Sequence, residues 1–174
     1  TLHGTVKQTM VYQHGGDQNQ FNWLGQQATL SFWFQSSYKD DQSKILKIND
    51  NNLFVNQQNQ LKLSVNGRQL LLAEGIDPTE FHLIVFSQDR KVLTTTVRSS
   101  SNDINLVTIH TLEGDESVLG GELQPDDVEL GYNSAPTAGF FDGKLRDIRL
   151  WNRSLSEQET DLVYDNRILE VFNR

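Results

Sequence analysis

The chain has 174 residues, no Cys and a formal net charge of -8 at pH 7. This length suits one domain with a core that needs no covalent staple, and the lack of Cys excludes disulfides, thiolate metal sites and a Cys nucleophile. The acidic excess disfavours nucleic acid and anionic lipid as partners, and no apolar run reaches the roughly 20 residues that membrane insertion by a helix requires.

The first half of the chain alternates between apolar and polar residues, which predicts short strands separated by turns. The first predicted strand covers Gly4–His14, and the second includes Leu30–Phe34. A meander is predicted over Ile45–Ala73. Within it, Asn66-Gly67 favours a type I′ hairpin turn, which needs positive φ at both positions.

The second half continues the pattern. Phe81–Phe86 is apolar on both faces, which indicates a central strand covered by the other sheet on one side and by loops or a partner on the other. Val92–Arg98 is rich in Thr and is a good strand former, and further strands are predicted at Leu106–Leu112 and Val128–Leu130. About a dozen strands of this kind predict an all-β fold, a two-sheet antiparallel sandwich.

The stretch Phe140–Tyr164 predicts the last long strand and the one short C-terminal helix. Ser156 followed by Glu159 fits a capping box, in which each side chain satisfies a backbone amide of the first turn. Leu155, Leu162 and Val163 then fall on one face of the helix.

Three stretches of the chain resemble laminin-G-like domains of the concanavalin A-like lectin and glucanase superfamily. FFDGKLRDIRLWNRSLSEQETDLVYDN at 140–166 is similar to the closing strand and helix, ATLSFWFQSS at 28–37 to an early core strand, and LKLSVNGRQLLL at 61–72 to a hairpin. The resemblance implies a jelly-roll over 1–174 as a single domain, which we interpret as cut from a larger protein. The binding half of clostridial neurotoxin heavy chains has a similar jelly-roll, so a toxin is an alternative origin.

The resemblance also bears on catalysis, because glucanases of the superfamily carry a Glu-x-Asp-x-x-Glu strand. The nearest string here runs from Glu113 to Val118, so the last carboxylate is missing. Hydrolysis of a glycosidic bond needs two carboxylates. We therefore expect no catalytic residue and no enzyme, and interpret the string as a solvated acidic turn. His82 and His110 are expected to be structural, with satisfied hydrogen bonds.

Calcium is the cofactor that the resemblance suggests, since related domains often bind it at one rim. Hard cations need several oxygen ligands, and Asp40, Asp41 and Asp142 in predicted loops are the candidates. The alternatives are a solvated acidic surface and, for Asp142, a role in fixing the turn into the last strand.

The candidate glycan-binding residues lie in the same kind of loop. Tyr38 stands near Asp40 and Asp41, and Tyr132 precedes Asn133, so each of the two loops joins an aromatic ring to planar polar groups. Loops on a rigid scaffold are where recognition usually lies. The alternative is that each Tyr packs over the end of a strand.

These observations favour a non-catalytic module that binds a glycan or a host-surface glycoprotein. We expect it to be extracellular, in a secreted or surface-exposed adhesin, toxin or fibre, beside other domains of the same chain. A structural or protein-interaction domain without a small ligand is the alternative, and a glucanase-like enzyme is the least favoured interpretation.

Overall fold

The computed structural model describes residues 10–11, 22–23, 27–36, 44–48, 50–119, 121–122, 128–130 and 143–165. These residues form thirteen strands and one helix. In chain order they are β1 (Met10–Val11), β2 (Asn22–Trp23), β3 (Gln27–Ser36), β4 (Leu46–Ile48), β5 (Asn51–Val55), β6 (Leu61–Val65), β7 (Arg68–Ala73), β8 (His82–Asp89), β9 (Val92–Ser99), β10 (Asn105–Thr111), β11 (Gly121–Glu122), β12 (Val128–Leu130), β13 (Gly143–Trp151) and α1 (Glu157–Tyr164).

The strands form two large antiparallel sheets, which confirms the predicted sandwich. A six-stranded sheet has the order β1-β12-β4-β5-β6-β7, a five-stranded sheet has the order β10-β9-β8-β3-β13, and β11 pairs with β2 in a short ribbon. The Asn66-Gly67 turn between β6 and β7 has φ values of 49° and 82°, as the type I′ prediction requires. Of the predicted first strand, the described residues include Met10–Val11.

The core lies between the two sheets and is apolar. Alternate residues of β3, Leu30, Phe32 and Phe34, point into it and are almost wholly buried. Across the sheet, Phe32 stands opposite Ile84 of β8. Each large apolar side chain that is buried in this way stabilises the fold by roughly 1.5–3 kcal/mol. The early strand that the sequence singled out is therefore a central element of the core.

Strand β13 contains an irregularity that the sequence did not predict. Its register with β3 shifts between Arg146 and Arg149, and Asp147 has φ 54°. A bulge of this kind inserts an extra residue and turns the following side chains over. It explains why Leu145 and Ile148, which are three residues apart, both pack against the core while remaining partly exposed.

Helix α1 covers the outer face of the five-stranded sheet. Its Val163 is buried with Leu83 and Val85 of β8 and Trp33 of β3 in a second apolar cluster. The sequence predicted that loops or a partner would cover the outer face of β8; the structure places helix α1 there instead. No helix in the described ranges is long and apolar enough to cross a membrane.

Candidate functional site

The capping box fixes the start of α1. The side chain of Ser156 accepts a hydrogen bond from the Glu159 amide at 3.2 Å, and Glu159 accepts one from the Ser156 amide at 3.1 Å. Glu159 also binds the Arg153 guanidinium through both carboxylate oxygens. These contacts lower the pKa of Glu159 to about 2, with the Arg153 hydrogen bond as the largest cause.

The far end of α1 is fixed to the sheet by Tyr164. Its ring lies 5.5 Å from that of Trp33, and its hydroxyl donates to the Ser99 carbonyl at 3.0 Å. The guanidinium of Arg98 lies 3.7 Å from the centre of the same ring and donates to Asp161 at 3.3 Å. A helix held at both ends gives the surface beside it a defined shape.

A groove of about 440 Å³ lies between α1 and the β10 edge of the five-stranded sheet. Its volume is within the range of ordinary ligand sites. Its apolar lining consists of Val85, Val107, Ile109 and Leu155, and its polar lining of Ser87, Thr94, Thr96, Asn105, Glu157, Thr160 and Asp161. The groove therefore offers aliphatic surface, hydroxyls, an amide and two carboxylates to one ligand.

Strand register places the floor of the groove. Val107 stands opposite Thr96, and Thr96 stands opposite Val85. Two residues further along the strands, Ile109 stands opposite Thr94, and Thr94 stands opposite Ser87. Because side chains alternate between faces, all of these residues point to the outer face of the sheet.

The wall of the groove is the polar face of α1. Glu157 and Asp161 are four residues apart, so they lie on the same side of the helix. The hydroxyl of Thr160 donates to the Ser156 carbonyl at 3.0 Å. Asp161 forms a salt bridge with Arg98. Glu157 also lines the groove, and its carboxylate forms no salt bridge within the described part of the chain. The groove thus has an acidic side.

The residues that the sequence singled out for binding are in other segments. Tyr38, Asp40, Asp41, Tyr132, Asn133 and Asp142 all lie outside the described residues. Their roles in glycan or calcium binding stay predictions. Over the ranges that the structure describes, no three His, Cys, Asp or Glu side chains form a group that could hold a metal ion.

The acidic string that resembles part of a glucanase motif forms a turn, as predicted, but its Glu116 is not solvated. Only 8% of Glu116 is exposed. Its carboxylate accepts from Arg68 at 2.6 and 3.2 Å, which is the main reason that its pKa is lowered. Val118, at the position of the missing carboxylate, is fully buried. The string provides a structural ion pair in place of an acid and base pair.

The two strand histidines are structural in position, yet the expectation of satisfied hydrogen bonds is wrong. Both ring nitrogens of His82 and the Nδ1 atom of His110 are buried without a hydrogen-bond partner in the described structure. Burial is the main cause that lowers the pKa of each ring. Neither histidine lines the groove.

Sequence reasoning missed the groove. It identifies Thr94 and Thr96 only as strand formers, although their alternation with Leu93 and Val97 indicates a polar outer face. The wall could not be found in this way, because α1 lies far along the chain from β9 and β10.

Comparison with known proteins identifies the fold. A laminin G family, described as the concanavalin A-like lectin/glucanases superfamily, matches residues 12–160. No curated protein matches the chain.

Several solved structures are similar to the chain. The CBM40 domain of the Ruminococcus gnavus IT-sialidase, bound to alpha2,3 sialyllactose, has a TM-score of 0.57 and 12% identity, over 82% of this chain and 84% of that one. Domain 4 of the arabinanase AbnA from Geobacillus stearothermophilus, in complex with arabinotriose, has a TM-score of 0.54 and 16% identity, over 79% of this chain and 66% of that one. A structure of botulinum neurotoxin type C, whose cell entry is dependent upon interaction with two ganglioside molecules, has a TM-score of 0.56 and 10% identity. That match covers 83% of this chain and 36% of the other. Likeness at such low identity shows a shared fold.

Proposed function

The chain belongs to the concanavalin A-like lectin/glucanases superfamily, and we propose that it is a non-catalytic carbohydrate-binding module. The observation that carries this proposal is the groove between α1 and β10, whose lining mixes hydroxyl, amide and carboxylate groups with aliphatic surface. Sugars present the matching chemistry, since their hydroxyls both donate and accept hydrogen bonds and their C–H faces are apolar.

The comparisons support the same function. CBM40 and the arabinanase domain bind sialyllactose and arabinotriose in their structures, and the neurotoxin interacts with gangliosides. We propose a glycan ligand for this chain too, in the setting of a larger extracellular protein such as an adhesin, toxin or fibre.

The absence of catalysis in this proposal follows from the acidic turn. Val118 stands where the motif has its last Glu and offers no carboxylate, so the pair that glycoside hydrolysis needs is incomplete there. In the groove, Asp161 is engaged by Arg98. Binding is the chemistry that these residues support.

Affinity should be modest. A few neutral hydrogen bonds contribute about 0.5–1.5 kcal/mol each, and a single module of this kind should bind near the millimolar level, about -4 kcal/mol. Several copies in one assembly would raise the effective affinity without new contacts.

A second place for the ligand is the rim proposed from the sequence, with Tyr38, Asp40, Asp41, Tyr132 and Asn133, and with calcium held by Asp40, Asp41 and Asp142. The test is a glycan array with and without calcium, followed by titration of the best hit. Loss of binding in Thr94→Val/Thr96→Val supports the groove, and Thr111→Val, on the same sheet face outside it, is the control.

Loss of binding in Tyr38→Ala or Tyr132→Ala, with the groove variant unaffected, would assign the ligand to the rim. Wild-type protein that binds no glycan under either condition would overturn the proposed function and favour a structural or protein-interaction domain.

A further inference from the structure

The two edges of the five-stranded sheet are built differently. One edge, β13, has a bulge and carries Lys144, Arg146, Asp147 and Arg149. The other edge, β10, has the uncharged sequence NLVTIHT and an unbroken register with β9. Charges and bulges are the usual means by which proteins keep sheet edges from pairing, so β13 is protected and β10 lacks both devices.

The apolar side chains of β10 are open to solvent on both faces. Leu106 is 42% exposed, Val107 48% and Ile109 69%. Leu106 faces inward and the other two face the groove. Solvent therefore reaches both faces of a seven-residue strand that has no charged residue.

Within the described ranges, the backbone of β10 is also unpaired at this edge. The Leu112 amide donates to Lys91 at 2.7 Å and the Ile104 carbonyl accepts from Ser99 at 2.9 Å, so the even-numbered residues between them bond to β9. The odd-numbered residues then direct their amide and carbonyl groups away from the sheet. The Thr111 carbonyl accepts from Arg68 at 3.1 Å. The outward amide and carbonyl groups of Asn105, Val107 and Ile109 have no hydrogen-bond partner among the residues that the structure describes.

We propose that β10 pairs with β10 of a second copy of this chain, antiparallel and about a two-fold axis at Val107. Val107 then stands opposite Val107 of the second copy, and Asn105 opposite Ile109. Each such pair exchanges two backbone hydrogen bonds. This register uses the three residues whose outward groups are open, and it joins two five-stranded sheets into one.

Charge favours a second copy at this edge. Two chains that each carry a net charge of -8 repel one another over most of their surfaces, and β10 is an uncharged strip at which they can meet. The acidic α1 walls lie over β8, five strand spacings apart in the pair, or about 24 Å. That distance exceeds the Debye length of about 8 Å at physiological salt, so the walls repel little.

The pairing has a consequence for the groove, although it does not depend on the proposed function. Asn105, Val107 and Ile109 belong both to the paired edge and to the groove. The two grooves therefore meet on one face of the joined sheet and form a trough lined by residues of both copies. One glycan chain could contact both copies, which raises the effective affinity.

The test is the mass of the protein in solution without any glycan, measured by light scattering across a dilution series. One chain has a mass of 19.9 kDa. We expect twice that mass at high concentration and a return to the single-chain mass on dilution, because a single strand pair makes a small interface. Wild type that stays at the mass of one chain throughout would overturn the proposal.

Variants locate the interface. Val107→Lys should give the mass of one chain at every concentration, and Ile109→Lys provides the same test if the first variant does not fold. Leu71→Lys is the matched control, since Leu71 is 41% exposed on β7, an edge of the other sheet, and it should dimerise like wild type. Dimers in both β10 variants, or loss of the dimer in the Leu71 control alone, would contradict pairing through β10.

Discussion

The imidazole ring of His82 stacks on the phenyl ring of Phe34 inside the sandwich, with centroids 5.5 Å apart and planes at 25°. Burial lowers the pKa of His82 from its ordinary value of 6.5, and the nearby carboxylates of Glu80 and Asp77 oppose this shift only in part. The ring is therefore held neutral in the core, where neither nitrogen finds a partner within the described structure.

This arrangement predicts a loss of stability in mild acid. As the pH falls below 6.5, the unfolded chain gains a proton on His82 that the folded chain does not take up, so the free energy of unfolding decreases until the pH reaches the folded pKa. His82→Leu should remove most of this dependence below pH 6.5, so the variant should gain stability relative to wild type as the solution becomes mildly acidic. Urea unfolding at neutral and at mildly acidic pH measures the difference. His110→Leu, on the exposed edge strand, is the control and should have a smaller effect. If the free energy of unfolding of the His82 variant depends on pH as steeply as that of wild type, the explanation is refuted.

A second prediction concerns the capping box. Glu159→Gln should reduce stability by about 1 kcal/mol near neutral pH, because it weakens the cap and removes the ion pair with Arg153. The pKa of Glu159 is lowered to about 2 from its ordinary 4.5. Its contribution is therefore present above pH 4.5 and is lost as the pH falls towards 2. Thermal unfolding across this range measures the loss.

The matched control for the cap is Glu157→Gln, in the same helical turn. Glu157 has no part in the capping box, so its variant should unfold within about 0.5 kcal/mol of wild type. Equal losses in the two variants would show that the effect comes from charge at the helix start in general.

A third prediction separates two positions of the apolar core. Phe32 is fully buried, so Phe32→Ala should cost about 3–5 kcal/mol in chemical unfolding. Ile148 lies within the bulge and is only partly buried, so Ile148→Ala should cost less, on the order of 1–2 kcal/mol. If Ile148→Ala lowers the free energy of unfolding as much as Phe32→Ala does, the side chain of Ile148 lies in the core despite the bulge.

Local features of the fold were predictable from sequence, whereas contacts between distant segments were not. Asn66-Gly67 and the Ser156–Glu159 box act within a few residues, so their patterns indicated the turn and the helix start correctly. The three-residue spacing of Leu145 and Ile148 was a visible sign of the bulge that simple alternation does not accommodate. The groove lies between strands β8, β9 and β10 and a helix from the end of the chain, and no local sequence pattern indicates that these segments are in contact.

A fourth prediction concerns the charge of the ligand. Glu157 and Asp161 make one side of the groove acidic, so a neutral oligosaccharide such as arabinotriose should bind more tightly than a sialylated one. Glu157→Gln should improve binding of sialyllactose by about fivefold, or about 1 kcal/mol, through removal of one like charge. Titrations with both sugars at low and high salt measure the effect. A wild-type preference for sialyllactose would contradict a site in the groove.

The most direct test of the glycan-binding groove is a two-dimensional amide NMR titration of the protein with neutral oligosaccharides, starting with arabinotriose. The groove predicts saturable shifts at Thr94, Thr96, Asn105 and Asp161, and their loss in the Thr94→Val/Thr96→Val variant. Shifts confined to other parts of the chain, including Tyr38 and Tyr132, or no saturable shift with any glycan identified on the array, would contradict it.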